Sequence, residues 1–331
     1  MSASTASALP TLTAPDAARH PGPPALCSPG HAAPARLTTT VPKEYVHRAA
    51  IAEVLLTDWV RTADDHFTVT AQWPRLHAYF ATADGYHDPL IAAETIRQAG
   101  LLLAHAAYDV PLGHHFVMWD LAVDLAPDHL RLRPQPAAVT LQITCQDIKY
   151  RGGRLAGMRL ALTLHRDGRP AGTAAATLTC VTPAVYRRLR APHTDGGHPE
   201  PRPLPAPVPP HLVGRHHPGD VVLAPTTRPR RWELRADTSH PVLFDHPVDH
   251  VPGMVLLEAA RQAALADHGR AGLPTTITSE YLRYAELDTP CYVEALALPT
   301  TTGDTADLLI TAHQNDAPVF VATLTLTTPN P

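Results

Sequence analysis

A six-residue pattern occurs twice in this chain, at residues 94–99 and again at 258–263. Both copies read Glu-x-x-Arg-Gln-Ala, and both lie in apolar segments that follow a proline, Pro89 in the first and Pro252 in the second. A proline suits the first turn of a helix because the N–H that it lacks would have no partner within the helix. A motif that is repeated together with its setting indicates an internal duplication. The sequence therefore predicts two equivalent units, each built around one helix.

The elements around the two motifs follow the same order. In the first unit, strands at 51–60 and 67–73 precede a helix at 90–107, and four strands follow at 115–125, 139–149, 155–165 and 171–181. In the second unit, strands at 220–223 and 232–237 precede a helix at 254–268, and strands follow at 277–287, 292–298, 308–313 and 319–327. Turn sequences at 151–154 and 166–169 join neighbouring strands as hairpins.

This order predicts an α+β fold, a tandem double hotdog in which two antiparallel sheets each wrap a long central helix. Residues 1–40 are rich in proline and poor in large apolar residues, so we expect them to be disordered. Residues 190–211 are rich in Pro, His and Gly, which is typical of a stiff linker. The two folded domains are then 41–189 and 212–331, each of an ordinary size for one domain.

The composition argues against several classes of protein. The formal net charge is −4, which does not favour a surface for nucleic acid. The four cysteines form no Cys-x-x-Cys pair, so neither a disulfide framework nor a zinc site is expected. No segment has the roughly 18 consecutive apolar residues of a membrane span, and the first residues lack the pattern of a signal peptide. We expect a cytoplasmic protein that needs no metal or cofactor and binds neither membrane nor nucleic acid.

The second helix contains the residues that we expect to do chemistry. Its apolar residues occupy nearly every angle around the axis, which is typical of a helix buried on all sides. Glu258, Arg261 and Gln262 lie one turn apart on one face of it. An apolar setting raises the pKa of a carboxyl group towards neutral pH, which suits Glu258 as a general base. The alternative is an ordinary ion pair between Glu258 and Arg261 on a helix surface.

The turn before this helix offers a second chemical feature. Pro252-Gly253 places bare backbone N–H groups and the positive end of the helix dipole where a thioester carbonyl could bind. Gly253 also lets a ligand approach the backbone closely. The alternative is a plain turn at the start of a helix. His246, upstream in the same loop, is either catalytic or ties the loop to a strand, and His250 could equally face solvent.

The second helix and the loop before it resemble two groups of known enzymes. The pattern His246…Pro252-Gly253-x-x-x-x-Glu258-Ala259 resembles the active-site helix of hotdog 3-hydroxyacyl thioester dehydratases, with a shorter loop. A closer resemblance is to the A-factor biosynthesis hotdog family, the gamma-butyrolactone synthases and furan-forming relatives of Streptomyces-like bacteria. It rests on segments 41–56, 71–75, 88–99 and 245–254, on 213–215 with 220–223, and it spans residues 41–327.

The second resemblance implies a reaction. Members of that family transfer a 3-oxoacyl group from an acyl carrier protein to the hydroxyl of dihydroxyacetone phosphate. An aldol-type ring closure then gives a butenolide phosphate or, in some relatives, a furan. The implied partners are the carrier-bound 3-oxoacyl thioester and dihydroxyacetone phosphate, and a homodimer is a candidate assembly. The length of the acyl chain and the type of ring stay open.

By motif match, the resemblance implies that Glu258 and Arg261 are the catalytic pair. Glu258 would act as a base, Arg261 would orient it or hold phosphate, and the N–H of Gly253 would stabilise an oxyanion. The second unit is favoured because it alone has the Pro-Gly turn. The candidate site residues are, as catalytic groups, Glu258, Arg261, His246 and Gly253 and, as substrate-binding groups, Glu94, Arg97, Gln98 and Gln262.

Other polar residues and other functions stay open at this point. Candidate contacts to phosphate or to the carrier, each with a solvated surface position as the competing interpretation, are Tyr45, His47, Arg75, Arg151, Arg154 and Arg283. A thioester dehydratase or a thioesterase is the alternative enzyme, although the short loop and Arg261 disfavour a dehydratase. A protein that binds an acyl ligand without catalysis is the third hypothesis.

Overall fold

The computed structural model describes residues 39–82, 85–194, 202–299 and 305–328, which form twelve β-strands and three α-helices. The helices are α1 (Leu90–Ala106), α2 (Pro183–Thr194) and α3 (Gly253–His268). The first six strands are β1 (Leu56–Ala63), β2 (His66–Trp73), β3 (His115–Leu125), β4 (Ala137–Arg151), β5 (Arg154–Arg166) and β6 (Arg169–Val181). The other six are β7 (Leu223–Pro225), β8 (Arg231–Leu234), β9 (Leu273–Tyr281), β10 (Tyr292–Ala297), β11 (Thr305–Gln314) and β12 (Ala317–Thr327).

The strands form one sheet in the order β1-β2-β4-β5-β6-β3-β9-β12-β11-β10-β8-β7. From either end towards the middle, the strands of each half occur in the same sequence, so the predicted duplication and the tandem hotdog fold are confirmed. The two predicted sheets are continuous because β3 and β9 pair antiparallel at the centre. The hydroxyl of Ser279 also donates to the carbonyl oxygen of Leu121 across this junction, at 3.0 Å.

Helices α1 and α3 are buried along almost their whole length. Their sequences are rich in Leu and Ala, which favour helix strongly, and a helix that is apolar all round belongs in a core. α1 packs on strands of the first half, α3 packs on strands of the second half, and the two helices touch each other. Each helix therefore brings the polar residues of its motif into the interior. None of the described helices is long and apolar enough to cross a membrane.

Two strands predicted before the motif helices are shorter in the structure. The strand expected at 51–60 begins only at Leu56, because Ile51–Glu53 forms a 3-10 turn whose backbone bonds close locally. The strand expected at 220–223 gives way to the short β7, because Pro218–Asp220 closes a corresponding turn. Both predictions started the strand too early for the same reason, because each duplicated unit has a 3-10 turn before its first strand.

Beyond the second motif helix, the strand expected at 277–287 starts earlier and ends earlier, as β9. It starts earlier because Leu273 pairs with Thr327 at the end of β12. It ends earlier because the amide of Leu282 turns to the carbonyl oxygen of Val319, which breaks the regular ladder.

Helix α2 was not predicted, and it covers the beginning of the expected linker at 190–211. It is held to the second half by the buried Arg190, which donates to Asp249 at 3.0 Å and to Glu286 at 2.7 Å. Asp249 and Glu286 are distant from Arg190 in sequence, so the local sequence pattern did not predict α2. The domain bounds at 41–189 and 212–331 stay predictions, and the disorder expected for residues 1–40 falls almost entirely outside the described residues.

A glycine in β6 tests the packing of the sheet. A Cβ atom added at Gly172 would clash with the backbone carbonyl oxygen of Asp124 in β3, where neither strand can give way freely. We expect Gly172→Ala to lower the free energy of unfolding by about 1–3 kcal/mol, measured by urea denaturation. Gly272→Ala is the control, because its nearest atom would be 3.4 Å away, and it should change stability by less than about 0.5 kcal/mol. Equal effects of the two substitutions would contradict the packing described.

Candidate active site

The carboxylate of Glu258 lies at the centre of a buried polar cluster, fully shielded from solvent on α3. The guanidinium of Arg261, one turn along the helix, donates to Oε2 at 2.9 Å and to Oε1 at 2.6 Å. Arg215, which precedes β7, donates to the same two oxygens at 2.6 and 2.8 Å. The side-chain amide of Gln262 adds a bond of 2.5 Å to Oε1. Arg215, Glu258, Arg261 and Gln262 are called the Glu258 site below.

The first half contains the same cluster around Glu94 of α1. Arg97 donates to Oε2 of Glu94 at 2.9 Å and to Oε1 at 2.8 Å, as Arg261 does in the other half. Arg48 donates from Nε at 3.1 Å, and its Nη2 lies 2.7 Å from the same oxygen. The amide of Gln98 completes the set at 2.7 Å. Arg48, Glu94, Arg97 and Gln98 are called the Glu94 site.

The two glutamines also tie each helix to the turn that precedes the first strands of its half. Gln98 accepts from the amide of Leu55 at 2.9 Å and donates to the carbonyl of Glu53 at 2.8 Å. Gln262 makes the corresponding bonds, at 3.0 Å from Val222 and 2.9 Å to Asp220. The amide groups of Gln98 and Gln262 are therefore already hydrogen-bonded within the protein. Their predicted contact with substrate stays a prediction.

Each site also depends on the opposite half of the chain. Nη1 of Arg48 donates to the carbonyl oxygen of Val242 at 3.0 Å, and Nη1 of Arg215 donates to that of Tyr79 at 2.6 Å. The Tyr79 ring in turn covers the guanidinium of Arg215, with 4.0 Å between ring centroid and Cζ. Each site therefore includes a hydrogen bond to the backbone of the opposite half.

The ionisation of both glutamates differs from the expectation. Burial alone would raise the pKa of Glu258, but Arg215 and Arg261 outweigh this and lower it to about 2. Arg48 and Arg97 likewise lower the pKa of Glu94 to about 2 against the effect of burial. The raised pKa expected for Glu258 is therefore wrong. The repeated motif contains only Arg261, and the second guanidinium comes from Arg215, outside the motif. Both carboxylates are ionised at neutral pH.

One additional carboxylate distinguishes the two sites. Asp88, fully buried just before α1, places Oδ2 at 3.1 Å from Nη2 of Arg215 and 3.4 Å from Nε of Arg261. Its other oxygen accepts the amide of Leu90 at 3.0 Å, at the start of α1. The residue in the corresponding place before α3 is Pro252, which has no side-chain acceptor. Among ion pairs within 4.0 Å, the two guanidiniums of the Glu258 site thus share two carboxylates, whereas those of the Glu94 site share one.

The sites also differ in their access to solvent. The Arg261 side chain is 2% exposed and that of Arg215 is 3% exposed, so the Glu258 site is closed. The Arg97 side chain is 21% exposed, so the Glu94 site reaches the surface. The sequence predicted no such difference, because both copies of the motif read alike.

No hydrogen bond or ion pair among the described residues joins His246 to Glu258, and its catalytic role stays a prediction. Its ring is 44% exposed and lies 3.4 Å from the carboxylate of Asp245, which accepts the amides of Ala49 and Ala50 at 2.5 and 3.0 Å. It also lies close enough to His47 to contribute to lowering the pKa of that ring. The loop that leads into α3 therefore contacts the first half, on the side of the Glu94 site.

A pair of histidines flanks the Glu94 site. The Nε2 atoms of His47 and His105 are 2.9 Å apart, and Nδ1 of His105 lies 2.7 Å from the carbonyl oxygen of Val110. A carbonyl oxygen can only accept, so the proton of neutral His105 is on Nδ1 and His47 donates from Nε2. Burial, then His105 and Arg97, lower the pKa of His47 to about 3, which keeps the ring neutral. Nδ1 of His47 is left as an acceptor.

Gly253 begins α3 as predicted, with Pro252 before it. A Cβ atom at Gly253 would lie 2.9 Å from the Tyr281 ring, so the close approach of that ring requires glycine. Within the described residues, the amides of Gly253 and Met254 have no hydrogen-bond partner, as befits a helix start. Gly253 as an oxyanion donor stays a prediction.

The remaining candidates for phosphate or carrier contacts are dispersed. Tyr45 stacks near His105 with 5.9 Å between ring centroids, beside the Glu94 site. Arg283 donates to the carbonyl oxygen of Pro318 at 2.6 Å. Exposed guanidiniums without such a bond belong to Arg75, Arg151 and Arg154. No group of three or more His, Cys, Asp or Glu residues in the described ranges is arranged to hold a metal ion.

Known proteins resemble this chain over most of its length. The family model of the A-factor biosynthesis hotdog domain matches residues 31–182 and 197–329. The 2-oxo-3-(phosphooxy)propyl 3-oxoalkanoate synthase of Streptomyces virginiae is 52% identical over 285 residues, 86% of this chain and 96% of that protein. The synthase of the same name from Streptomyces griseus is 41% identical over 283 residues, 85% and 93% of the two chains. An oleoyl thioesterase structure from Lactobacillus plantarum, 13% identical with a TM-score of 0.51, covers 80% of this chain and 97% of its own and shows the fold alone.

The buried cluster predicts a cost for neutralising its centre. Glu258→Gln leaves Arg215 and Arg261 with only Asp88 to balance them, and it should lower the free energy of unfolding at neutral pH by about 3–5 kcal/mol. Glu94→Gln should cost less, because solvent reaches Arg97. Urea denaturation of both variants measures the difference. A larger loss for Glu94→Gln would contradict the closed state of the Glu258 site.

The same lowered pKa gives this cost a pH dependence. The carboxyl of Glu258 titrates near 4.5 when unfolded and at about 2 when folded, so its stabilisation is complete above about pH 4.5 and is lost as the pH falls towards about 2. The stability difference between the unmodified protein and Glu258→Gln should therefore shrink over this window. A constant difference would mean that the folded pKa is not lowered.

Proposed function

The chain belongs to the A-factor biosynthesis hotdog family, and from this we propose that it joins a 3-oxoacyl thioester to the hydroxyl of dihydroxyacetone phosphate. The observation that supports this most is its 52% identity, over 96% of the relative, to a 2-oxo-3-(phosphooxy)propyl 3-oxoalkanoate synthase. That name describes an ester of a 3-oxo acid with dihydroxyacetone phosphate. The protein is accordingly an acyltransferase.

The chemistry of this reaction needs three functions from the protein. The substrate hydroxyl must give up its proton, its oxygen must attack the thioester carbonyl carbon, and the C–S bond must break to release a thiol that recovers a proton. A carboxylate held in place can accept the hydroxyl as a hydrogen-bond donor, and Glu94 and Glu258 are the two candidates. Backbone amides at the start of α3, among them that of Gly253, could hold the developing oxyanion.

The guanidiniums serve the same reaction through charge. Each site holds two arginines, which can orient the glutamate between them and attract the phosphate of the acceptor substrate. Arg97 and Arg261, the arginines of the repeated motif, are the candidates for this role that the sequence indicates. His246 stays a candidate for contact with substrate on the side of the Glu94 site.

A ring closure follows from the structure of the product ester. The carbon between its two acyl carbonyls is acidic, and after losing a proton it can attack the ketone of the dihydroxyacetone unit. Loss of water then gives a five-membered butenolide that keeps its phosphate. We propose this product as the precursor of a signalling molecule, with a furan as the alternative ring. The acyl donor is a carrier-bound thioester, and a homodimer stays a prediction.

Three other functions are weaker candidates. A 3-hydroxyacyl thioester dehydratase that used the sequence pattern would need His246 beside Glu258, but His246 contacts Asp245 and acts electrostatically on His47, whereas Glu258 is bonded to Arg215 and Arg261. A thioesterase shares the fold, but a likeness of 13% identity says nothing about the reaction. A protein that only binds acyl ligands is separated from all of these by the absence of product.

Product analysis tests this proposal. We expect the purified full chain, given a 3-oxoacyl thioester and dihydroxyacetone phosphate, to form a phosphorylated ester or its butenolide, detected by mass spectrometry. Thioesters of several chain lengths would also give the acyl preference. Omitting dihydroxyacetone phosphate is the control, and it should abolish the phosphorylated product. Free 3-oxo acid alone, or no turnover with any donor, would reject the acyltransferase. A 3-hydroxyacyl thioester supplied in a separate assay tests the dehydratase, which would release water and form the 2-enoyl thioester.

A further inference from the structure

The starting observation is that the Glu94 site has one ion-paired carboxylate fewer than the Glu258 site. Arg48 and Arg97 share one carboxylate there, whereas the Glu258 site holds a second one from Asp88. Asp245 and Glu53 also act electrostatically on Arg48, but the oxygens of Asp245 accept the amides of Ala49 and Ala50, and no described ion pair within 4.0 Å joins either acid to Arg48. Two largely buried guanidiniums that share one ion-paired carboxylate favour the binding of a further anion.

Asp88 marks where such a group would lie. Its Oδ2 sits beside Nη2 of Arg215 and Nε of Arg261, at 3.1 and 3.4 Å. Arg97 contacts Glu94 with the same atoms as Arg261 contacts Glu258, and Arg48, like Arg215, presents Nε and Nη2 to the glutamate, although both face a single oxygen of Glu94. The equivalent place in the Glu94 site therefore lies beside Nη2 of Arg48 and Nε of Arg97. Pro252 stands at the corresponding chain position and sends no carboxylate there.

Solvent access and the charge of the substrate both favour the Glu94 site as the place where an anion binds. Arg97 is partly exposed, whereas the Glu258 site is closed by Tyr79 and by its own burial. The acyl group of the proposed thioester substrate is neutral. The phosphate of dihydroxyacetone phosphate is an anion before the reaction begins, so it is the group that a pair of guanidiniums would bind. A phosphate also accepts several hydrogen bonds from paired guanidiniums.

We propose that the Glu94 site binds the substrate and that Arg48 and Arg97 hold the phosphate of dihydroxyacetone phosphate, while Asp88 fills the equivalent place in the Glu258 site. This rests on the proposed function for the identity of the substrate. It reverses the preference for the second half that the Pro-Gly turn suggested. The Glu258 site then serves as a closed structural counterpart, and Asp88 acts as an internal substitute for the substrate anion.

The phosphate subsite is tested by binding alone, without turnover. Isothermal titration calorimetry of dihydroxyacetone phosphate should give one site per chain, and Arg97→Gln should weaken binding about tenfold or more, because charge-assisted hydrogen bonds are lost. Arg228→Gln removes one positive charge from an exposed position and is the matched control, which should bind as the unmodified protein does. Equal affinities of Arg97→Gln and Arg228→Gln would overturn the assignment.

Kinetics separate this phosphate from that of the carrier. With an N-acetylcysteamine thioester, which contains no phosphate, Arg97→Gln should raise the KM for dihydroxyacetone phosphate about tenfold or more and leave the KM for the thioester within about twofold. A change confined to the KM for the thioester would show that Arg97 serves the acyl group, and it would overturn the proposal. If the unmodified protein forms product but its affinity for dihydroxyacetone phosphate does not depend on Arg97, only this inference is contradicted. If no product forms at all, the proposed function is contradicted.

Asp88 offers a second test in the other half. Asp88→Asn keeps an oxygen that can cap α1 at Leu90 but removes the charge beside Arg215 and Arg261. Because the Glu258 site is closed, this change should lower the urea concentration at the midpoint of unfolding and leave the affinity for dihydroxyacetone phosphate within about twofold. Asp316→Asn, in an exposed turn, is the control and should change neither quantity. Loss of dihydroxyacetone phosphate binding by a folded Asp88→Asn protein would reject Asp88 as the internal substitute.

Discussion

A buried glutamate between two guanidiniums is the interaction on which both halves of this protein depend. Charges removed from water are costly unless every partner is in place, so the cluster tolerates only one arrangement of the segments that supply it. Arg48 and Arg215 come from outside the motif helices and reach the opposite half of the chain as well. The cluster therefore fixes the helix, the turn before the first strands and the loop of the other half at once.

The duplication provides two copies of this cluster, and the copies differ in the residues around the shared Glu, Arg and Gln. Both helices present the same Glu, Arg and Gln, and both glutamines bind the same backbone groups. Asp88 in one half and Pro252 in the other change the charge balance of the opposite sites. A difference of this kind converts one of two similar polar clusters into a closed structural element and leaves the other able to attract an anion.

Much of the fold could be predicted from the sequence, because helices α1 and α3 and most strands follow from local periodicity and the repeat. The site was predicted only in part. The repeated motif contains Arg97 and Arg261, whereas Arg48 and Arg215 lie far from the glutamates along the chain. Residues 46–48 and 213–215 share Val-x-Arg, so aligning the two units beyond the helices could have found them. The pKa of Glu258 was misjudged because its direction depends on that second guanidinium.

A crystal structure of the full chain with dihydroxyacetone phosphate tests the central claim most directly. The account predicts phosphate density between the guanidiniums of Arg48 and Arg97, with the carboxylate of Asp88 still beside Arg215 and Arg261. Phosphate bound between Arg215 and Arg261, with Asp88 displaced from that position, would contradict it.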